Sequence, residues 1–208
     1  MERNSLVLPL VALGIAGLIG FVLFADFYRH WAAEQERRAA LRPATLDGQI
    51  EPGEYAQSYL DAATGIELQW SVIGEEIFIA LRCPGHGWVA MGWGEPDQVQ
   101  MMKGADFVIA YIDQAGLHIE DSFGVDFVAH APDTELGGHN DILEQAGSEQ
   151  GGSTVVEFRR RLDTGDAYDQ PIHAGSLTVL FAHAHEDDFV SYHASRSTAI
   201  LDFFGGQP

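Results

Sequence analysis

Ile66-Glu-Leu-Gln-Trp-Ser-Val72 alternates apolar and polar side chains at every step. A period of two puts Ile66, Leu68, Trp70 and Val72 on one face of an extended strand and leaves the other face polar. Ile73-Gly-Glu-Glu76 follows as a hairpin turn, with Glu76–Leu81 as the returning strand. Similar short segments recur at Trp88–Trp93, Asp106–Ile112, Leu117–Phe123, Thr154–Arg160, Ser176–His183 and Thr198–Phe204. Asp113-Gln-Ala-Gly116 supplies another hairpin turn. No stretch after residue 42 sustains a 3.6-residue period long enough for a long helix. Short strands spaced in this way predict an all-β, antiparallel sandwich or barrel. Ala129–Gly152 lacks strand character and reads as a surface excursion.

Upstream of the strands the chain changes character. Ser5–Ala25 is 21 residues without a charge, and as a helix it spans about 31 Å, matching a hydrocarbon core of ~30 Å. Phe27, Tyr28 and Trp31 follow as interfacial aromatics. The apolar run exceeds a signal-peptide core and no A-x-A cleavage site follows, so a retained transmembrane helix is expected. Residues 1–4 form a tail, 5–25 the span, 26–43 a helical stalk rich in Ala, Glu and Arg and ended by Pro43, and 44–208 the sandwich. Arg29, Arg37, Arg38 and Arg42 lie just past the span, which by the positive-inside rule would hold the sandwich in the cytoplasm.

Charge and cysteine count narrow the function. The formal net charge is −20, and residues 44–204 carry 6 Lys+Arg against 27 Asp+Glu, or −21. Such a surface excludes a nucleic-acid partner, which needs clustered bases. Acidity of this kind also serves solubility in high salt, which lowers the weight of any single carboxylate. The lone Cys83 excludes an internal disulfide, a multi-cysteine zinc site and a C-x-x-C-H haem attachment.

Six fragments then line up in order. They are Leu46-Asp-Gly-Gln-Ile-Glu-Pro-Gly-Glu-Tyr55, Gly87-Trp-Val-Ala-Met-Gly-Trp-Gly94, Met101-Met-Lys-Gly-Ala-Asp-Phe-Val-Ile-Ala-Tyr111, Pro132-Asp-Thr-Glu-Leu-Gly-Gly138, Phe158-Arg-Arg-Arg-Leu-Asp-Thr-Gly-Asp166 and Ser191-Tyr-His-Ala-Ser-Arg196. Together they resemble prokaryotic DOMON domains over about residues 45–204. The resemblance implies an Ig-like β-sandwich working outside the cytoplasm, with a non-covalent haem b or a sugar-type ligand. It therefore outweighs the arginine bias and places the domain in the periplasm, on a single-pass inner-membrane anchor. In haem-binding members a Met before the central strand and a His near the last strand clamp the iron. The matching residues are Met102 and His193, with Met101 as the ligand if the register lies one residue earlier. Imidazole and thioether together favour low-spin iron suited to electron transfer. Trp88, Trp93, Phe107 and Phe189 are candidates for the apolar shell, whereas Met91 is expected in the core.

Other constellations carry less. His183 and His185 stand two apart as a metal edge. Asp133, Glu135 and Asp141, and separately Asp163, Asp166 and Asp169, offer loop oxygens to Ca²⁺, although the Asp-Thr-Gly-Asp run reads first as turn capping. Arg159, Arg160 and Arg161 form a basic cluster, read as a solvated strand end or a propionate contact. There is no G-x-S-x-G, Walker loop, GxGxxG or HExxH, so catalysis by this chain alone is not expected. The expected role is electron transfer or an accessory redox subunit, partnered by the membrane and by an integral membrane redox complex or a basic periplasmic redox protein. The alternatives are a ligand-free structural subunit and a carbohydrate-binding module.

Overall fold

The computed structural model describes residues 43–205, and the tail, span and stalk expected over 1–42 lie outside them. No helix among the described residues is long and apolar enough to cross a membrane. Among the described residues, eleven strands form two antiparallel sheets. The first contains β1 (Gln57–Leu60), β2 (Glu67–Ile73), β3 (Glu76–Pro84), β8 (Glu144–Gln150) and β9 (Ser153–Arg161), in the order β1-β2-β3-β9-β8. The second contains β4 (Val89–Gly94), β5 (Asp106–Asp113), β6 (Gly116–Asp126), β7 (Ala129–Pro132), β10 (Leu177–His183) and β11 (Ser195–Leu201), in the order β11-β10-β4-β5-β6-β7. One helical turn, α1 (Asp133–Leu136), follows β7.

The hairpins fall where the sequence puts them, with Ile73 opposite Glu76 and Asp113 opposite Gly116. Ile66, Leu68 and Trp70 are fully buried, facing Met91, Val108, Val179 and Phe181 in one core between the sheets. Trp70 donates its indole N–H to the Phe203 carbonyl at 2.9 Å, so the ring is buried without an orphaned donor. Met91 is in this core, as expected.

Both sheets also carry apolar residues on their outer faces. On the first, residues 44–55 pack Ala44 and Tyr55 over Phe78 and Ala80. Glu157 pins that segment by accepting the Tyr55 hydroxyl at 2.6 Å and the Gly48 amide at 2.7 Å. On the second, the residues alternate with the core set: Ala90, Phe107 and Ile109 form a separate apolar cluster with Trp88, Leu180 and Ala182 packed into it. A strand apolar on both faces reads as a continuous hydrophobic run, as Val89–Trp93 and Phe107–Ala110 do. The second sheet thus carries an apolar outer face that an ordinary sandwich would leave polar.

Two expectations are corrected. Ala129–Gly152 is not a bare excursion: it contains β7, α1 and β8. The last strand begins at Ser195, three residues before the expected start, because Ser195–Ser197 complete the ladder with β10.

Candidate functional site

A cleft of about 910 Å³ opens on the outer face of the second sheet, near the upper end of the range for small-molecule and cofactor sites. Its floor is Ala90, Phe107, Ile109, Leu180 and Ala182 from the central strands. Three connections build the walls: 95–105 between β4 and β5, the β6–β7 corner, and 184–194 between β10 and β11. Met102 comes from the first and His193 from the third, and both line this one cleft.

Backbone geometry explains how Met102 gets there. Met101 adopts φ 58°, the one left-handed non-glycine among the described residues, at a cost of order 1 kcal/mol that surrounding structure must offset. The turn leaves Met101 half exposed and packs Met102 against the apolar cluster around Phe107. Underneath, Gly124 passes so close that a Cβ there would lie 1.7 Å from the Met102 carbonyl oxygen. Gly124 donates its amide to the Ala105 carbonyl at 2.8 Å, which locks β6 to the loop.

His193 follows a bend whose start is fixed by Asp188, which accepts the Ser191 amide at 2.6 Å and the Val190 amide at 2.9 Å. The chain re-enters the sheet as Ala194 donates to the His183 carbonyl at 2.8 Å. Burial and the nearby Arg196 guanidinium push the His193 pKa down. The imidazole is therefore neutral around pH 7, the form that can coordinate a metal. Tyr192 packs beside it, with ring centroids 4.0 Å apart.

Trp88, Phe107 and Phe189 of the anticipated shell do line the cleft. Trp93 does not. It belongs to the core between the sheets, where it donates its indole N–H to the Gln170 carbonyl at 2.9 Å. Sequence reasoning misses His130 and Phe127, which line the cleft from the β6–β7 corner. The signal was the run Val125–Pro132, too short and mixed to read as a strand. Two buried polar atoms on lining residues, Trp88 Nε1 and His130 Nδ1, have no protein partner, which marks a surface shaped for something other than itself. Burial lowers the His130 pKa as well. With an apolar floor, a neutral imidazole and a thioether, the residues present fit a b-type haem.

A DOMON domain model matches residues 63–184, more than half of the chain. The chain belongs to the DOMON family. Among curated relatives, DBH-like monooxygenase protein 1 of Homo sapiens is 28% identical over 147 residues and that of Mus musculus 26% over 148. Each match covers 71% of this chain but 23% of the relative, so the DOMON chain spans about a quarter of those proteins. Among solved structures, the cytochrome b domain of pyranose dehydrogenase from Coprinopsis cinerea superposes with a TM-score of 0.52 at 14% identity. That superposition covers 70% of this chain and 80% of that one. The likeness is one of fold, and the DOMON fold here is the two-sheet antiparallel sandwich.

The remaining sequence candidates separate. His183 and His185 lie with ring centroids 6.1 Å apart, and neither joins a group of three potential ligands among the described residues. Asp163 caps the Gly165 amide and Asp166 the Tyr168 amide, the turn role expected of them. Of the arginine triplet, Arg161 is the exposed strand end expected, the other two are not, and none of the three lines the cleft. Arg159 bridges Glu76 and Glu144, and Arg160 is fully buried among Asp106, Asp121 and Asp169. Glu76, Asp106 and Asp121 are far away in sequence and Asp169 stands on the loop after the strand, so local spacing carried no trace of these pairings.

Proposed function

We propose that the cleft of this DOMON domain holds a non-covalent b-type haem between Met102 and His193. The domain would then serve as an electron-transfer or accessory redox subunit rather than as an enzyme alone. The carrying observation is that these two residues, singled out by the family pattern and far apart in the chain, line one apolar cleft. Once bound, such a haem supplies one-electron chemistry with a raised potential. His193 would hold the iron through its imidazole, kept neutral by burial and by Arg196. Met102 would hold it through its thioether, its loop fixed by Gly124 and by the strained Met101. Phe107, Trp88 and Phe189 exclude water from the faces between them.

Ser5–Ala25 would anchor the chain in the inner membrane, with the domain on the periplasmic side. Its partner would be a membrane redox complex or a basic redox protein on that side. The cytochrome b domain of similar fold and the monooxygenase relatives support a redox setting for this reading.

The test is the spectrum of the full-length chain purified in detergent. A sharp reduced Soret band and a b-type pyridine haemochrome are expected. Met102→Ala and His193→Ala should each abolish the low-spin spectrum, while Met101→Ala should retain it. A colourless protein that binds an oligosaccharide in calorimetry would overturn the haem reading in favour of carbohydrate recognition. A colourless protein that binds nothing but co-purifies with membrane subunits would leave a structural role.

A further inference from the structure

The charges of the cleft are not spread evenly around it, and the strand registers fix where they lie. Across the outer face of the second sheet, Arg196 of β11 pairs with Ala182 of β10, and Ala182 with Ala90 of β4. Ala90 pairs in turn with Ile109 of β5, and Ile109 with Glu120 of β6. All five residues line the cleft. At ~4.8 Å per strand, Arg196 and Glu120 stand about 19 Å apart at opposite ends of one row, too far to pair. Between them the floor is two alanines and an isoleucine. Glu135, the other carboxylate on the wall, belongs to α1, which follows β7 and so lies on the Glu120 side. The cleft therefore has a cationic end and an anionic end.

Arg196 is unlike the other arginines of the sheets. Arg82 lies 3.5 Å from Glu67, Arg159 2.7 Å from Glu76 and Arg160 2.9 Å from Asp169. Among the described residues, Arg196 forms no salt bridge and its guanidinium donates no hydrogen bond to protein. Over residues 44–204 acids outnumber bases 27 to 6, so an arginine kept clear of them on a cleft wall is left for another anion. A guanidinium presents a planar fork of donors that matches a carboxylate with two parallel hydrogen bonds. Trp88 makes a related demand. It is 7% exposed, its indole N–H can only donate, and no protein acceptor reaches it. An occupant of this cleft has to bring acceptors, and an anionic one at the β11 end.

We infer that Arg196 binds a carboxylate of the cleft's ligand, a propionate where that ligand is haem, so that the ligand's anionic edge lies at the β11 end and away from Glu120. The inference rests on the haem reading above and adds to it the residue that orients the cofactor. Iron ligands at the centre of a porphyrin are indifferent to how its edge is turned, so Met102 and His193 cannot make this selection. The propionate contact that the sequence offers to Arg159, Arg160 and Arg161 passes to Arg196, because none of those three lines the cleft.

The test compares haem with its dimethyl ester, which keeps the iron and the ring but carries no carboxylate charge. Each is titrated into the full-length chain in detergent, stripped of haem, at one salt concentration. Arg196→Leu should lower the ratio of haem to ester affinity by about tenfold or more, the worth of a charge-assisted hydrogen-bonded pair. Arg196→Lys should recover part of that loss, having the charge without the fork. Arg161→Gln removes the same charge from an exposed strand end outside the cleft and should keep the wild-type ratio. Micelles take up each porphyrin alike in every variant, so comparing ratios cancels that partition. Arg196 is exposed and bonded to no protein group among the described residues, so Arg196→Leu should melt with the wild type. A wild-type ratio in Arg196→Leu would overturn the assignment and leave the haem reading intact. A tenfold rise of the ratio in Glu120→Gln would place the carboxylates at the β6 end and overturn it as well. Failure of both porphyrins to bind the wild type would overturn the haem reading, and this inference with it.

Discussion

Arg160 is the residue on which the two sheets lean most heavily. It is fully buried, its guanidinium stacks on Trp93 at 4.8 Å, and it answers acids from β5, β6 and the 163–170 loop. Buried ion pairs are weak sources of net stability, because desolvation offsets much of the attraction. Losing one partner is a different matter, since the others are left charged and dry. Arg160→Met should therefore destabilise the protein by about 3–5 kcal/mol, read as a lower midpoint in urea unfolding, and restoring a charge with Arg160→Lys should recover only part of it. A midpoint within error of the wild type would show that water reaches the trio. None of this was legible locally. Phe158-Arg-Arg-Arg-Leu162 shows three bases in a row, and nothing in that run says that the middle one turns inward while Arg159 bridges Glu76 and Glu144. A family pattern named Met102 and His193, which line one cleft, whereas His130 and Phe127, which line it too, had no pattern to carry them.

At the scale of elements, strands with a strong apolar face announce themselves and strands held only by their neighbours do not. Ile66–Trp70 and Phe107–Ala110 are legible from composition because burial selects their side chains. β8 reads Glu-Gln-Ala-Gly-Ser-Glu-Gln, without one large apolar residue. It is an edge strand that exists because β9 offers it a ladder, and Gly147 fits where a Cβ would lie 3.0 Å from the Val155 carbonyl. The cleft's loops obey the same logic of fit. Gly124 is extended backbone, so Ala is conformationally acceptable there, yet its Cβ would fall 1.7 Å from the Met102 carbonyl oxygen. The loop must move for that substitution to be accommodated. With the proposed haem in the cleft, Gly124→Ala should therefore weaken its retention at least tenfold and shift its absorption, while Gly74→Ala, in an open turn at φ 63°, should cost only about 1 kcal/mol of stability and leave the spectrum intact. Equal spectra for the two variants would mean that the Met102 loop is not held by β6.

The whole domain is an acidic body with an apolar cleft mouth. Residues 44–204 carry −21, and the cleft's rim exposes Val128, Val190 and Tyr192 to water, at 75%, 90% and 78%. Two forces with opposite salt responses therefore act on anything that docks there. Long-range attraction of a basic partner is screened as the Debye length shrinks from ~10 Å at 0.1 M to ~3 Å at 1 M. Apolar contact at the rim is not screened. Self-repulsion among the surface carboxylates is screened by the same ions, so the domain's own stability moves the other way. With EDTA present to keep divalent cations out of the count, raising NaCl from about 0.05 to 0.5 M should increase the melting temperature. Over the same range it should slow association with a cationic redox protein by at least tenfold. A partner that docks mainly on the apolar rim would leave the association rate nearly flat, and that outcome would reject the basic-partner reading. A melting temperature that falls with salt would show instead that favourable ion pairs such as Arg159 with Glu76 and Glu144 outweigh the net repulsion.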